Sequence, residues 1–255
     1  MVRNNVDRDG QYYETSAMYS DHTRSLYLTF AEPLLNWRSD KYPTGINLYD
    51  LKHFQSFYEL PNLTLNCLGK SPRYGDSGPD IGRSYLPDPL YASFDYRLAE
   101  RLYARVSGVE DRAHFGALLN YLCAGDVEKT RASGGEVEWL VFHAATPPAP
   151  TSSPTVDFGR RMTASDILGQ KGFAFLRDGQ GKDAQAALLR YGPSLNHGHL
   201  DDLNLNYYAL GYELTYDLGY GLGSTHTQVG WSHQTASHNL VLVDEKSQGG
   251  DSKDT

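Results

Sequence analysis

Residues 194–243 read SLNHGHLDDLNLNYYALGYELTYDLGYGLGSTHTQVGWSHQTASHNLVLV and contain five of the nine histidines in the chain. His197 and His199 stand two positions apart, and Asp217 follows at the end of an apolar segment. His238 leads into a further apolar run. Imidazole nitrogens and a carboxylate oxygen are ligands that zinc prefers. We therefore interpret this stretch as a metal site beside a catalytic histidine.

The two histidines of the His-x-His pair could bind one metal ion together, have separate roles, or be ordinary residues. In a strand, residues two apart share a face, so both imidazoles could reach one metal ion. Gly198 permits a bend that would separate their roles. A lone histidine is more often an ordinary surface or core residue, but the pair together with Asp217 and His238 favours a metal site. The pair also opens the cupin metal motif, which we discount because Asn204 stands near the place where that motif needs a glutamate.

The residues around this stretch alternate between apolar and polar with a period of two, which indicates strands. The segment 172–177 precedes Asp178-Gly179-Gln180-Gly181, a sequence typical of a hairpin turn. Further strands are predicted at 186–191, 203–208, 212–217 and 239–243. The pattern therefore predicts an antiparallel sheet in the last part of the chain.

The first part of the chain has helical periodicity instead. Pro33 is expected to bend or end the first long helix, and Asn47 is a plausible N-cap for the next. A loop rich in glycine and proline covers residues 69–90, and a short helix is predicted at 137–142. The predicted helix faces are Leu26, Phe30 and Leu34; Leu51, Phe54, Phe57 and Tyr58; Phe94, Leu98, Leu102 and Val106; and Phe115, Leu118, Leu119 and Leu122.

A change of composition separates the two parts. Residues 146–154 read TPPAPTSSP, which is typical of a semi-stiff linker. We predict a helical domain at 1–145, a linker at 146–160 and an antiparallel β-sheet domain at 161–255. The fold class is therefore α+β, with two segregated domains.

Composition excludes some functions. The net charge of −8 argues against nucleic acid as a partner, because phosphate binding needs a basic face. A local cluster of basic side chains would still allow an acidic polysaccharide. We expect no membrane span, since no run of about eighteen apolar residues occurs. Cys67 and Cys123 leave open one disulfide or two buried thiols.

A second motif lies far upstream, where residues 9–19 read DGQYYETSAMY. Tyr19 alone would be an ordinary core aromatic. In this setting, however, the segment resembles the Asp-Gly…Glu-x-Ser…Tyr motif of the heparinase II/III-like polysaccharide lyases, which include related alginate and oligoalginate lyases. The segments 172–193, 197–201 (HGHLD), 216–219 (YDLG) and 234–244 (QTASHNLVLVD) resemble that family in the same order.

This resemblance implies a role for each matched residue. Tyr19 stands where the family has its catalytic tyrosine, and His197 where it has its catalytic histidine. His199, Asp217 and His238 stand where several members bind a structural zinc ion. The resemblance also implies a partial (α/α) toroid followed by the start of a large antiparallel β-sandwich, with an acidic polysaccharide or oligosaccharide in the cleft and a periplasmic or secreted location.

Lyases of this kind cut uronic-acid glycans by β-elimination. They remove the proton at C5 and expel the oxygen linked at C4, so they need a base, an acid and neutralisation of the substrate carboxylate. A tyrosine and a histidine can share the first two tasks, and the stereochemistry of the uronate decides which is the base. The family places its carboxylate-neutralising residue tens of residues before the tyrosine. Tyr19 lies too near the start for that, so we expect this chain to be a fragment.

Arg73, Arg83 and His233 are weaker candidates for substrate binding. The two arginines lie in the glycine-rich loop, which could form the edge of a cleft, although solvated surface charge is the more common role of such residues. Two other functions stay open. The chain could be a carbohydrate-binding protein without catalysis, in which zinc only holds the sheet together. It could also be a metal-dependent oxygenase or hydrolase built on the histidines alone, with an open coordination position and no role for Tyr19.

Overall fold

The computed structural model describes residues 2–63, 66–68, 72–77, 96–134, 145–148, 156–219 and 228–248. Helices occupy the first part of the described chain, and a five-stranded antiparallel sheet occupies the second. The predicted α+β class is therefore confirmed. No helix among the described residues is long and apolar enough to cross a membrane.

The sheet has the strand order β1-β2-β3-β4-β5, so each strand pairs with its neighbour in sequence. The predicted hairpin is confirmed: β2 and β3 pair from Phe173↔Arg190 to Asp178↔Gln185. The helices are α1 Val2–Asn5, α2 Ala17–Asn36, α3 Lys52–Leu63, α4 Tyr96–Arg105, α5 Val109–Leu122, α6 Val127–Gly134 and α7 Phe158–Thr163. The strands are β1 Asp166–Leu168, β2 Phe173–Asp178, β3 Gln185–Arg190, β4 Leu205–Ala209 and β5 Tyr212–Glu213.

One hydrophobic core lies among the helices. The predicted stripe of α3 is confirmed, because Phe54, Phe57 and Tyr58 are fully buried in this core. The stripe of α5 is buried there too, as Phe115 shows. Asn47 is a cap, but its side chain accepts a hydrogen bond from Tyr49 and so begins a 3₁₀ turn at Leu48–Asp50 ahead of α3.

The face predicted for α2 is wrong. Leu26 and Phe30 are 45% and 64% exposed, whereas Ala31 on another face is fully buried. The helix also continues through Pro33 to Asn36. Apolar residues occur on more than one side of α2, so periodicity alone could not show which side meets the core.

The sheet has one buried and one exposed apolar face, because side chains alternate along each strand. Phe173, Phe175, Leu188 and Tyr208 are buried in a second core on the inner face. The outer face carries four large apolar side chains, and no described element covers them. These are Ile167, Leu176, Leu189 and Leu205, with exposed fractions of 64%, 64%, 37% and 40%.

The strand predicted at 239–243 is wrong. This segment has only an isolated bridge between Val243 and Lys246. The strand predicted at 212–217 is shorter than expected, since β5 covers only Tyr212–Glu213. Asn239 makes only separate contacts beside β4: its N–H donates to Asn204 Oδ1 at 2.9 Å, and its carbonyl accepts the N–H of Leu205 at 3.1 Å. These two bonds are not continued into a regular ladder.

Some predictions fall on parts that the structure does not describe, including the helix at 137–142 and most of the loop at 69–90. Of the linker at 146–160, residues 146–148 and 156–160 are described, and Phe158 at the start of α7 packs into the helical core. The division into domains stays a prediction. Cys67 and Cys123 are free buried thiols, which settles the alternative that the sequence left open.

The two faces of the sheet give a test of the fold. We expect Phe173→Ala to lower the free energy of unfolding by about 3–5 kcal/mol, because it opens a cavity in the second core. Leu176→Ala, in the same strand but on the exposed face, should cost less than about 1 kcal/mol. Urea unfolding of both variants measures this. Equal losses would show that the inner and outer faces have been assigned wrongly.

Candidate active site and metal centre

Three separate segments meet at the candidate site, and backbone hydrogen bonds hold them together. Thr15, just before α2, donates its N–H to the carbonyl of Asn196 at 3.0 Å. Its hydroxyl accepts the N–H of Leu195 at 2.9 Å. Asp76 donates its N–H to the carbonyl of His197 at 2.7 Å. The upstream motif and the His-x-His segment are therefore adjacent, with residues 72–77 beside both.

Gly75 is the point of closest approach. It has a φ of +57°, and an added Cβ would lie 1.9 Å from the carbonyl oxygen of Thr15 and 2.3 Å from that of His197. Both the backbone angle and the lack of space require glycine. Next to it, Ser16 donates its hydroxyl to the carbonyl of Asp76 at 2.6 Å and accepts the N–H of Tyr19 at 3.3 Å. Ser16 thus caps α2 and fixes its start against the same segment.

The structure brings Tyr19 and His197 together. Their rings are stacked, with centroids 3.5 Å apart and planes inclined by 15°. The His197 side chain is 33% exposed, so a ligand can reach it. Its backbone has a φ of +58°, a turn conformation and not the strand that would aim both histidines of the pair in one direction. Their predicted catalytic roles stay predictions.

The carboxylate of Glu14 lies at the Nδ1 edge of the His197 imidazole. Glu14 Oε2 is 3.2 Å from Nδ1 of His197, which is within ion-pair distance, although Nδ1 has no well-directed hydrogen bond among the described residues. The hydroxyl of Tyr13 donates to Glu14 Oε1 at 3.1 Å. Asn196 Nδ2 in turn donates to the Tyr13 oxygen at 3.3 Å. A chain of polar contacts therefore runs from the surface to His197.

His199, Asp217 and His238 form a buried group that could hold a metal ion. Their candidate ligand atoms all lie within 4.8 Å of one another. His238 Nδ1 is 3.0 Å from Asp217 Oδ2. The family resemblance implies the same three residues as ligands, and His197 is not a member of the group.

The surroundings of this group fit a metal ion. Nδ1 of His199 and Nε2 of His238 are buried without a hydrogen-bond partner among the described residues. Buried polar atoms of that kind need a partner, which a cation would supply. Asp76 Oδ1 lies 3.0 Å from Nε2 of His199, and Asn204 Nδ2 donates to Asp217 Oδ2 at 3.1 Å. Such outer contacts orient the ligands of a metal site.

The charges within this group are coupled. Burial would raise the pKa of Asp217, but the hydrogen bond and charge of His238 lower it below its ordinary value. Burial would lower the pKa of His238, but its contacts with Asp217 raise it. The pair is thus an anion and a proton donor that stabilise each other inside the protein.

The weaker candidates have different surroundings. His233 is half-buried, and its ring centroid lies 5.1 Å from that of His199. Burial is the main cause that lowers the pKa of His233, and the charge of the nearby His199 lowers it further. Arg73 is buried. Its Nε lies 3.6 Å from Glu213 Oε2 and its guanidinium lies over the ring of Tyr216, so its charge is paired with a carboxylate of the sheet part. Arg83 lies outside the described residues.

Lys171 belongs to no motif in the sequence, yet the structure places it beside the candidate site. It is 7% exposed and its Nζ donates to the carbonyl of Tyr13, which ties the turn just before β2 to the upstream motif. No spacing pattern marks it, because the contact joins residues far apart in sequence. Asp76 was overlooked for the same reason. The one signal in the sequence was that Asp76 follows Gly75 in the glycine-rich loop.

A separate cavity of about 610 Å³ lies between the β2–β3 turn, Cys67 and Tyr208. None of the predicted site residues that the structure describes lines it. Size alone therefore does not identify the functional site in this chain.

Comparison with known proteins gives structural matches only: no family profile and no curated protein matches the sequence. A solved heparinase III superposes with a TM-score of 0.55 at 18% identity. A mutant of the heparan sulfate lyase HepC from Pedobacter heparinus superposes with a TM-score of 0.54 at 16% identity. Another heparinase III superposes with a TM-score of 0.53 at 14% identity.

These structures share the fold of this chain. Each match covers 96% of the chain but only 32%, 32% and 34% of the other protein, in the same order. The resemblance inferred from the motifs is therefore confirmed at the level of fold. The chain spans about a third of the length of the solved structures it matches, which agrees with the expectation of a fragment.

Lys171 makes stability depend on pH. Burial lowers the pKa of its amine to about 8 from an ordinary 10.5. Between these values the unfolded chain keeps a proton that the folded chain has lost, so the free energy of unfolding should rise with pH, by at most about 1.4 kcal/mol per pH unit. Lys171→Met should lack this contribution.

The measurement is urea unfolding of the wild type and the variant from pH 7 to pH 10, and the quantity of interest is the difference between them. The exposed Lys182→Met serves as the matched control and should show a constant difference. If the Lys171→Met difference is also constant, the amine is not desolvated.

Proposed function

We propose that this chain is part of a polysaccharide lyase that cleaves a uronic-acid glycan by β-elimination. Tyr19 and His197 act as the acid/base pair. The observation that carries the proposal is their stacked contact at 3.5 Å between ring centroids, with His197 partly exposed. The fold shared with heparinase III and heparan sulfate lyase structures supports it. An acidic polysaccharide or oligosaccharide, such as a glycosaminoglycan or alginate, is the substrate.

The two side chains have complementary chemistry. One removes the C5 proton of the uronate, and the other protonates the oxygen that leaves from C4 as the double bond forms between C4 and C5. An imidazole with an ordinary pKa of about 6.5 is mainly neutral above that pH and can then accept the proton, whereas a phenol can donate one or, as phenolate, accept one. Because the rings are in contact, both can reach a single sugar ring.

A zinc ion held by His199, Asp217 and His238 has a structural role in this proposal. Two imidazoles and a carboxylate suit zinc, and the group is fully buried, as structural sites are. When bound, the ion adds binding free energy to the folded state and braces the turn that carries His197. Asp76 links the metal site to the start of α2: its side chain contacts His199, and its carbonyl accepts the Ser16 hydroxyl.

The architecture belongs to the same proposal. The helical residues 1–145 form part of an (α/α) toroid and residues 161–255 begin an antiparallel β-sandwich, joined by the linker 146–160. Exposed apolar side chains on α2 and on the outer sheet face support this, because a neighbouring helix and a second sheet would bury them. Action on an extracellular glycan places the protein in the periplasm or outside the cell.

The activity is tested on the longest natural polypeptide that contains this sequence. Incubation with heparan sulfate, chondroitin, hyaluronan and alginate should raise the ultraviolet absorbance of the unsaturated product for at least one glycan. Tyr19→Phe and His197→Ala should each lower turnover at least about 100-fold, since each removes an acid or base. The exposed His22→Ala should keep wild-type activity. No absorbance increase with any uronate glycan would reject the proposal, and glycan binding without turnover would favour the non-catalytic carbohydrate-binding alternative.

The zinc site has its own test. His199→Ala should lose bound zinc and lower the melting temperature, because the ion contributes to folding. His197→Ala should retain one zinc per chain, since its imidazole lies outside the buried group. Elemental analysis and thermal unfolding measure the two quantities. Equal zinc loss in both variants would contradict the division of roles within the His-x-His pair.

A further inference from the structure

The acid/base pair has a neighbour whose role the proposed function does not include. Glu14 Oε2 lies 3.2 Å from Nδ1 of His197, and the Glu14 side chain is 11% exposed. Its other oxygen accepts the hydroxyl of Tyr13 at 3.1 Å. Both carboxylate oxygens therefore lie close to other groups of the protein, one in a hydrogen bond and one at ion-pair distance.

We infer that Glu14 is a positioning residue for His197: it keeps the neutral imidazole protonated on Nδ1 and leaves Nε2 as the nitrogen that exchanges a proton with substrate. The inference rests on the proposed function and adds a residue that holds the histidine in its working form. Tyr13 supports it by fixing the carboxylate, and Asn196 fixes the Tyr13 hydroxyl at 3.3 Å.

The chemistry of the two groups gives this direction. A neutral imidazole carries one proton, and the partner of one nitrogen decides where that proton resides. An ionised carboxylate only accepts hydrogen bonds, so it favours the form with the proton on Nδ1. In the free protein the contact is at ion-pair distance without good hydrogen-bond direction. Contacts of this kind in active sites often become shorter and better directed when substrate binds.

A basic side chain lies near the carboxylate of Glu14. Lys171 is buried beside the upstream motif, donates to the carbonyl of Tyr13 and interacts electrostatically with Glu14. Tyr19 covers the ring of His197 by stacking. The imidazole is therefore held by a ring contact on one face and by a carboxylate at one edge. Together these contacts fix both its orientation and its proton.

The first readout needs no activity. In the full chain labelled with ¹⁵N-histidine, at a pH where the ring is neutral, the nitrogen chemical shifts of His197 should show mainly the Nδ1–H form. Glu14→Gln keeps the size of the side chain, but its amide can accept or donate, so the preference should be lost. The signal of His197 is assigned by its disappearance in His197→Ala.

The second readout is kinetic and uses the longest polypeptide that contains the sequence. Glu14→Gln should lower kcat about 100-fold with KM nearly unchanged, because the reacting groups are misplaced while the substrate contacts remain. Glu14→Asp should recover part of the loss, since it restores the charge. The exposed Glu110→Gln is the matched control and should retain both constants.

The outcomes separate this inference from the proposed function. If no glycan is cleaved by the wild type, the nitrogen shifts still decide whether Glu14 sets the tautomer. An active enzyme in which Glu14→Gln leaves either kcat or the tautomer unchanged would overturn the inference and leave the function intact. If Glu14→Gln does not fold, Tyr13→Phe replaces it, because removing the half-exposed hydroxyl should weaken the same preference with little effect on stability.

Discussion

Contact between three backbone segments is the constraint on which the site depends. Thr15, Gly75 and His197 come from positions far apart in sequence, yet their main chains approach so closely that Gly75 has no room for a Cβ. Backbone hydrogen bonds between the segments fix distances more firmly than side-chain contacts do, since peptide groups have no rotamers to change. The ring contact of Tyr19 with His197 follows from this arrangement, because each ring is attached next to one of the fixed segments.

The turn at His197 separates two kinds of chemistry within three residues. One imidazole remains partly exposed beside a phenol, while the next, on His199, is buried among polar groups. A strand would have directed both to the same face. The positive φ of His197 prevents this, and the hydrogen bond from Asp76 to its carbonyl holds the turn. Backbone conformation therefore determines which histidine is available to solvent and which can serve a buried ion.

The sequence predicted the α+β class, the buried stripes of α3 and α5, and the β2–β3 hairpin, because each depends on a local period or on turn residues. The family resemblance of the motifs implied the three members of the buried His-Asp-His group, whereas spacing alone left His197 among the candidate ligands. The sequence predicted the wrong face for α2, where apolar residues on several sides gave no preference. It missed Lys171 and Asp76, whose contacts exist only after distant segments meet, and no local pattern records such contacts.

Gly75 has a consequence for finding distant relatives of this protein. Many side chains can be replaced by other residue types during divergence. Gly75 cannot, because its φ is +57° and two carbonyl oxygens occupy the space that a Cβ would need, so a larger residue would move both neighbouring segments. We therefore expect a glycine at this place, between an upstream Glu-x-Ser and a downstream His-x-His, in any chain whose three segments meet as they do here.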